Sequence, residues 1–418
     1  MLRAFIIFFV GVKWLLCLAH IQYRRQICSA HASSSSSHTL LCWPYCLRRC
    51  SYCNFNKYIP RENKDSIMTE CLRRETETLL QLSQVSCITS VFFGGGSPSL
   101  ADPSTIAAVL ETVSKQASLS DQAEVTLEVN PTPAGRMKLE GFHLAGVNRF
   151  SVGVQSLQDE DLRSLGRDHN SQEALQTIEE ARRLCPGRVS VDVMFGLPKQ
   201  TLTLERGTQL FKKVQSGEVS MPAEEVTAEI YQHARETLHQ HGFVQYEVSN
   251  FARNNSESDH NLSYWRGKQY IGVGPGAHGR FVPLGEGVFA REARTQTLEP
   301  DAWIREVQQM GHGTRRRILM SRLDLLEEVL VMGMRMAEGI SHKHWDVFCP
   351  QMGLREVFSE SMCVQELLQG GQLILDDRGL RCTWNGLALL DCILPTLLAP
   401  HQTLHQHDSP LPGGLSEM

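Results

Sequence analysis

The first 61 residues contain no aspartate or glutamate, while Arg3, Lys13, Arg24, Arg25, Arg48, Arg49, Lys57 and Arg61 are basic. An acid-free basic stretch with the serine run Ser33–Ser37 suits a mitochondrial transit peptide, drawn as residues 1–38. A long apolar run is also missing. Lys13 separates Ala4–Val12 from Trp14–Ala19, which is short for a membrane span and leaves a signal-peptide core as the alternative. Charge excess is absent: a net charge of -5 and a pI near 6.4 give no global case for nucleic acid. An even cysteine count is lacking as well. The 13 cysteines are scattered apart from three, which suits a reducing compartment and a metal site better than a disulfide framework. At 418 residues, 42% hydrophobic and 21% charged, the chain can form one large domain and a smaller one.

The clustered cysteines are Cys46, Cys50 and Cys53, spaced C-x3-C-x2-C. A structural tetrahedral zinc site takes four protein ligands, usually from two separated pairs. Three close thiolates instead suit a [4Fe–4S] cluster with one iron open to a small molecule, with zinc and idle thiols as the alternatives.

Downstream, helix and strand patterns alternate. Met68, Leu72 and Leu79 share a face of a helix over Lys64–Leu82, and Ile88–Phe93 is a buried strand ending in Gly94-Gly95-Gly96. Asp102 and Pro103 begin the next helix. Strands at Val125–Val129, Arg149–Val154 and Val189–Met194 alternate with helices at Ala134–Ala145 and Ser171–Leu184, the latter capped by Ser171. Such repetition implies a parallel sheet with helical crossovers. Gly94–Gly96, Glu128, Gln155 and Asp192 fall at strand C-terminal ends, where parallel barrels gather their sites.

The rhythm breaks after Pro198, where too few residues remain for a crossover before Thr201–Leu204. Further on come a helix over Ala223–His241, a strand over Gln245–Phe251, His260-Asn-Leu-Ser-Tyr-Trp265 and the glycine-rich Gly272–Gly279. From Leu323 the pattern is helical, with two short strands in Leu367–Cys382 about Asp376–Gly379, the mark of a winged-helix type of domain. The tail is drawn as disordered over 399–418.

Several segments occur in an order that resembles one family: Trp43–Cys46, Cys50–Tyr58, Phe93–Leu100, Leu127–Pro131, Gly146–Ser156 and Leu165–His169. They are similar to the radical S-adenosylmethionine (SAM) branch of the anaerobic coproporphyrinogen III dehydrogenases and the HemW-type haem chaperones. The resemblance implies an α/β fold, a partial (β/α)6 TIM-like barrel over 39–290 with a small helical, winged-helix-like domain over 291–398. It implies Cys46, Cys50 and Cys53 as cluster ligands. Tyr52, Gly95, Gly96, Ser97, Glu128, Gln155, Arg167 and Asp192 would hold SAM, and His260, Asn261, Tyr264 and Trp265 haem, with His278 as a second histidine candidate. Implied partners are haem, a recipient haemoprotein and a reductant for the cluster, with a homodimer left open. The decarboxylase side carries a further cysteine where this chain has Phe55, which points to the chaperone; the alternatives are the dehydrogenase and a non-functional splice product.

The chain also departs from the family pattern. Leu40 and Cys42 replace the residues that usually approach the first cysteine, so leader-like sequence is expected in place of the first strand. Relative to the family about two dozen residues of the barrel are missing after Gln200. An unpaired sheet edge, poor folding or weak SAM binding is the expected consequence.

Overall fold

The computed structural model describes residues 5–8, 36–60, 62–194, 209, 212, 216, 223–287 and 289–402. Two compact units are present. The first comprises the described residues up to Gln245 with Ser249–Tyr264 and Lys268–Met320; the second comprises Tyr246–Val248, Trp265–Gly267 and the described residues from Ser321. The first unit passes the boundary drawn at residue 290, because strands Glu292–Gln296 and Thr314–Leu319 pair into its sheet.

In chain order the strands of that sheet are β1 Phe5–Phe8, β2 Ser36–Trp43, β3 Cys87–Gly95, β4 Ser118–Val129, β5 Arg149–Gln155, β6 Val189–Val193, β7 Val244–Glu247, β8 Asn250–Ala252, β9 Tyr270–Val273, β10 His278–Phe281, β11 Glu292–Gln296 and β12 Thr314–Leu319. Their spatial order is β12-β11-β10-β9-β2-β3-β4-β5-β6-β1-β8-β7. From β9 to β1 every neighbouring pair is parallel, as the βα alternation requires.

Side-chain parity then sorts the strands into two faces. Leu41, Val91, Phe93, Val125, Leu127, Val129, Phe150, Val152, Val189 and Val191 belong to one apolar core, which also takes Met68, Leu72, Ile106, Val109 and Ile178 from the helices. At roughly 25 cal/mol per Å² of buried apolar surface, this layer is the principal stabilising element of the unit. The intervening positions are polar and also buried: His38, Ser90, Glu124, Thr126, Arg149, Ser151, Ser190 and Asp192. They meet one another on the opposite face, as Arg149 Nη2 does Ser190 Oγ at 3.1 Å and Ser151 Oγ does Asp192 at 3.2 Å. This polar face is the inside of the partial barrel.

Several sequence expectations change. Ser36–Trp43 forms a true first strand, in register with β3 and β9, so the leader-like sequence is not a substitute for it. The leader drawn to residue 38 thus overlaps a strand whose His38 and Thr39 are buried. The expected unpaired edge at β6 is occupied by β1, which runs parallel to β6 and antiparallel to β8. Phe5-Ile-Ile-Phe8 is strand-favouring in composition, and backbone groups at an edge gain by pairing. The segment just after Gln200 lies outside the described residues.

Local chemistry explains smaller differences. The helix Ser171–Leu184 is capped by Asn170, whose side chain accepts from Glu173 N while Glu173 returns the bond, rather than by Ser171. Asp102 caps Pro103–Gln116 as its sequence indicates. The helix expected over Ala134–Ala145 is two, Pro133–Met137 and Leu139–Leu144, and the strand expected over Gln245–Phe251 is split into β7 and β8. In the second unit, helices Arg322–Gly333, His342–Phe348, Leu354–Ser359, Met362–Gln369 and Leu390–Gln402 surround a sheet of Ile340–Ser341, Gly379–Cys382 and Leu373–Asp376. The last helix enters the tail drawn from residue 399, and 403–418 lie outside the described residues.

Candidate cluster and cofactor site

The loop from Cys46 to Lys57 leaves the C-terminal end of β2 and is closed at its neck: Cys46 N donates to Tyr58 O at 2.9 Å and Tyr58 N to Pro44 O at 2.8 Å. One flank is fastened to the chain after β5, through Ser51 N to Leu165 O at 3.0 Å, Ser51 Oγ to Ser164 O at 3.2 Å and Arg48 Nη1 to Arg167 O at 3.3 Å. Asn56 Nδ2 holds the other by donating to Pro275 O and Leu298 O. These bonds fix the loop without using a cysteine thiol.

Cys46, Cys50 and Cys53 are free and half-buried. Burial, and then the neighbouring Cys53 and Cys50, push the Cys46 thiol up to about 12. Among the described residues no three ligating side chains converge on one metal ion. Three protein thiolates leave a structural zinc site one ligand short, whereas each can take a separate iron of a cubane.

The glycines beside the loop have a structural reason. A side chain at Gly96 would meet the backbone of Trp43 to Tyr45 at 2.8–2.9 Å, and one at Gly94 would meet the Phe92 ring and the Glu128 carboxylate. Gly95 has φ 105°, a left-handed conformation that L residues avoid. Gly96 N donates to Trp43 O at 2.6 Å, Ser97 N to Tyr45 O at 2.9 Å and Gly95 N to Glu128 Oε2 at 3.2 Å. The glycine turn thus clasps the chain entering the cysteine loop, besides leaving room for a cofactor. Ser97 is buried, with Oγ 3.5 Å from Ser99 Oγ.

Gln155 and Asp192 lie at neighbouring strand ends. Gln155 is buried with φ 69°, and its Oε1 has no hydrogen-bond partner. A strained residue with an orphaned acceptor at a strand end suits a ligand contact. Burial pushes the Asp192 carboxyl up to about 7, against the pull of the Ser151 hydroxyl and the Arg167 charge. Arg167 links these groups to the loop. Its Nη1 lies 3.1 Å from Tyr52 Oη and 3.7 Å from Cys50 Sγ, and its Nη2 donates to Gly153 O at 2.8 Å and to Asn130 Oδ1. Burial holds the Tyr52 hydroxyl above its usual range. The cysteines, Tyr52, the glycine turn, Glu128, Gln155, Arg167 and Asp192 therefore gather at one end of the parallel strands, and the residues fit a cluster with SAM.

The histidine motif lies elsewhere inside the same barrel. His260 belongs to the short helix Asp259–Trp265 and is 1% exposed. Its Nδ1 is 3.0 Å from Ser90 Oγ, its ring stacks on Phe92 at 4.8 Å, and the His38 and Tyr264 rings meet it edgewise at 4.9 Å. Burial pushes its pKa down to about 3, so the imidazole is neutral. The ring is thus packed against three aromatic neighbours, while its Nε2 has no hydrogen-bond partner. Asn261 N donates to Ser258 Oγ at 3.3 Å. In the second unit the guanidinium of Arg335 lies 4.7 Å over the Trp265 ring, on a face a stacked porphyrin would need. His278 is half-buried on β10, with Nδ1 3.2 Å from Thr295 Oγ1.

Sequence reasoning passed over three organising residues. Glu124, paired with Arg149 at 3.3 Å, accepts from Ser258 Oγ, Asp259 N and His260 N and so anchors the histidine helix. Glu75 accepts from Gly274 N at 2.7 Å, Gly313 N at 2.6 Å and Trp303 Nε1 at 3.0 Å, tying the glycine-rich segment to the first helix. A charged residue within the Met68, Leu72, Leu79 stripe was its signal. Asn130, in the Leu127–Pro131 segment, orients Arg167.

Parallel strands ending on a three-cysteine loop define a radical SAM barrel. The radical SAM superfamily model matches residues 40–205 and that of the HemN C-terminal domain residues 320–389. The chain is 66% identical over 379 residues to radical S-adenosyl methionine domain-containing protein 1, mitochondrial, of Danio rerio, covering 85% of each chain. Against the Bos taurus protein of the same name identity is 54%, over 88% of each. The heme chaperone HemW of Bacillus subtilis is 30% identical over 72% of this chain and 84% of its own. The Escherichia coli coproporphyrinogen III oxidase HemN superposes with a TM-score of 0.70 over 89% of this chain and 91% of that one, at 18% identity, and so shares the fold. The chain belongs to the mitochondrial radical S-adenosyl methionine domain-containing protein 1 family, related in sequence to HemW. Its localisation is mitochondrial, in keeping with these relatives.

Proposed function

We propose that this protein is a haem chaperone of the radical SAM family, holding a [4Fe–4S] cluster, SAM and haem and passing haem to a recipient haemoprotein. The observation that carries the reading is an intact cysteine loop followed by Phe55, in a chain related to a protein named as a heme chaperone. Cys46, Cys50 and Cys53 would ligate the cluster, which a one-electron donor would reduce. Gly95, Gly96 and Ser97 would lie along SAM, and the cluster and SAM together would supply one-electron chemistry. Glu128 and Asp192 would accept from its hydroxyls, Gln155 would use its unpartnered oxygen, and Arg167 would face its carboxylate. Tyr52 supports Arg167.

The histidine motif enters this reading as a wall of the barrel. His260, Asn261 and Tyr264 shape the interior, Trp265 packs under Arg335, and none is given the haem iron. Polyanion binding has no part in it. Anaerobic reconstitution followed by hemin titration tests the proposal: saturable binding with the Soret shift of a bound haem, and no protoporphyrinogen IX from coproporphyrinogen III, is expected. Turnover of coproporphyrinogen III would replace the chaperone with the dehydrogenase, and absence of saturable hemin binding would overturn the haem role.

A further inference from the structure

The environment of Arg167 suggests a task at the cysteine loop beyond facing SAM. Its side chain is immobilised before any ligand arrives. Nη2 is held by Gly153 O and Asn130 Oδ1, and Asn130 is itself fixed by donating from Nδ2 to Asp168 Oδ1 at 3.1 Å. The main chain is also fastened, since Arg167 N donates to Leu162 O at 2.9 Å and Arg167 O accepts from Arg48 Nη1. This leaves Nη1 directed at the loop, 3.7 Å from Cys50 Sγ and 3.1 Å from the hydroxyl of Tyr52, the residue between Cys50 and Cys53. Lys57, the nearby alternative cation, donates instead to the backbone oxygen of Cys53.

We propose that Arg167 is a positioning residue for the cluster, donating a charged hydrogen bond to the Cys50 sulfur and raising the cluster's reduction potential. Reduction adds one electron, and hence one negative charge, to the cubane and its thiolates. A fixed cation with an N–H aimed at a ligating sulfur stabilises that charge more than it stabilises the oxidised form. Two barrel strands and the loop thereby set the ease of the first electron transfer through one side chain. The inference rests on a cluster at Cys46, Cys50 and Cys53, and iron and sulfide content reports on that separately.

The test uses the full chain reconstituted anaerobically without SAM, so that loss of a SAM contact does not enter. Midpoint potentials of the protein, Arg167→Gln and Arg167→Lys are measured by EPR-monitored titration with Ti(III) citrate. At unchanged iron and sulfide content, Arg167→Gln is expected to make reduction about tenfold less favourable, a fall of about 59 mV for one electron. Arg167→Lys falls less but in the same direction, because an ammonium cannot reproduce the planar fork at both the sulfur and Gly153 O. In the unsubstituted protein labelled with 15N-arginine, the reduced cluster shows a 15N hyperfine coupling. Potentials equal across the three proteins, or absence of that coupling, overturn the proposal. Should Arg167→Gln fail to hold a cluster, Arg167→Lys decides it, an unshifted potential refuting the inference.

Discussion

Replacing Arg149 by methionine should destabilise the first unit by about 3–5 kcal/mol, the cost of leaving one member of a buried ion pair without the other. Arg149 and Glu124 are each 2% exposed, with Nη1 3.3 Å from Oε2. Arg149 also donates to Ser190 Oγ and to Ser256 O at 3.2 Å, so two further acceptors lose a donor. The remaining carboxylate of Glu124 keeps its bonds from Ser258 Oγ, Asp259 N and His260 N, which moderates the loss. Glu124→Gln is damaging by a comparable amount because it leaves the guanidinium uncompensated. The double variant Arg149→Met/Glu124→Gln removes both charges and is expected within about 2 kcal/mol of the unsubstituted protein, since a neutral pair escapes the desolvation penalty. Urea unfolding followed by far-UV circular dichroism measures all four proteins, and the cycle isolates the coupling. A loss below about 1 kcal/mol in Arg149→Met, or a double variant as damaged as the sum of the two singles, would refute the reasoning.

The remaining predictions concern pH, a buried carboxylate and the cysteines. Burial holds His260 near 3, His169 near 4 and His38 well below the usual range, so the unfolded chain binds more protons than the folded one as pH falls below about 6.5. Each contributes stability that is complete above that pH and is lost by up to about 1.4 kcal/mol per pH unit on acidification, His169 down to about 4 and His260 to about 3, while Asp192 and Glu75, raised by burial to about 7, act in the opposite direction; a loss of urea midpoint between pH 6.5 and 4.5 that is as steep in His260→Phe as in the unsubstituted protein would contradict this. Glu75→Ala leaves three buried donors unpaired, each costing about 1–3 kcal/mol, and should lower the urea midpoint more than Glu70→Ala on the exposed face of the same helix. Replacing Cys46, Cys50 or Cys53 singly by alanine should abolish bound iron and Fe–S absorbance while leaving the far-UV spectrum unchanged, because backbone and Asn56 bonds fix the loop; collapse of the spectrum would show that the loop depends on its metal.

How much of this was legible in the chain depends on the range of the interactions. Parallel strands and helices announced themselves through local periodicity, and Asp102 through a cap that acts within three residues. Asn170 was displaced by its neighbour Ser171 in the sequence reading because both are capping types and only the reciprocal bond to Glu173 separates them. The strand ends carrying Glu128, Gln155 and Asp192 could be aligned, but the web joining Arg167 to Tyr52, Cys50, Gly153 and Asn130 spans over a hundred residues in places, as Arg167 to Cys50 does, and has no local sign. His260 shows the same limit of range. A histidine with Tyr264 and Trp265 beside it suggested a cofactor contact, and nothing local foretold that His38 and Phe92 also pack on the ring inside the barrel. The serine run suggested only a leader because low complexity hides parity; Ser36 and Ser37 nevertheless begin β2.

The two-faced strands also set a rule for genetic change at this locus. Deleting the codon for Val125 or Thr126 would exchange the environments of Leu127 and Glu128, placing a carboxylate among the helices and an isobutyl group among the polar residues of the lumen. Substitution within a chemical class leaves that pattern intact, so in these strands a change of length is a graver lesion than a change of letter.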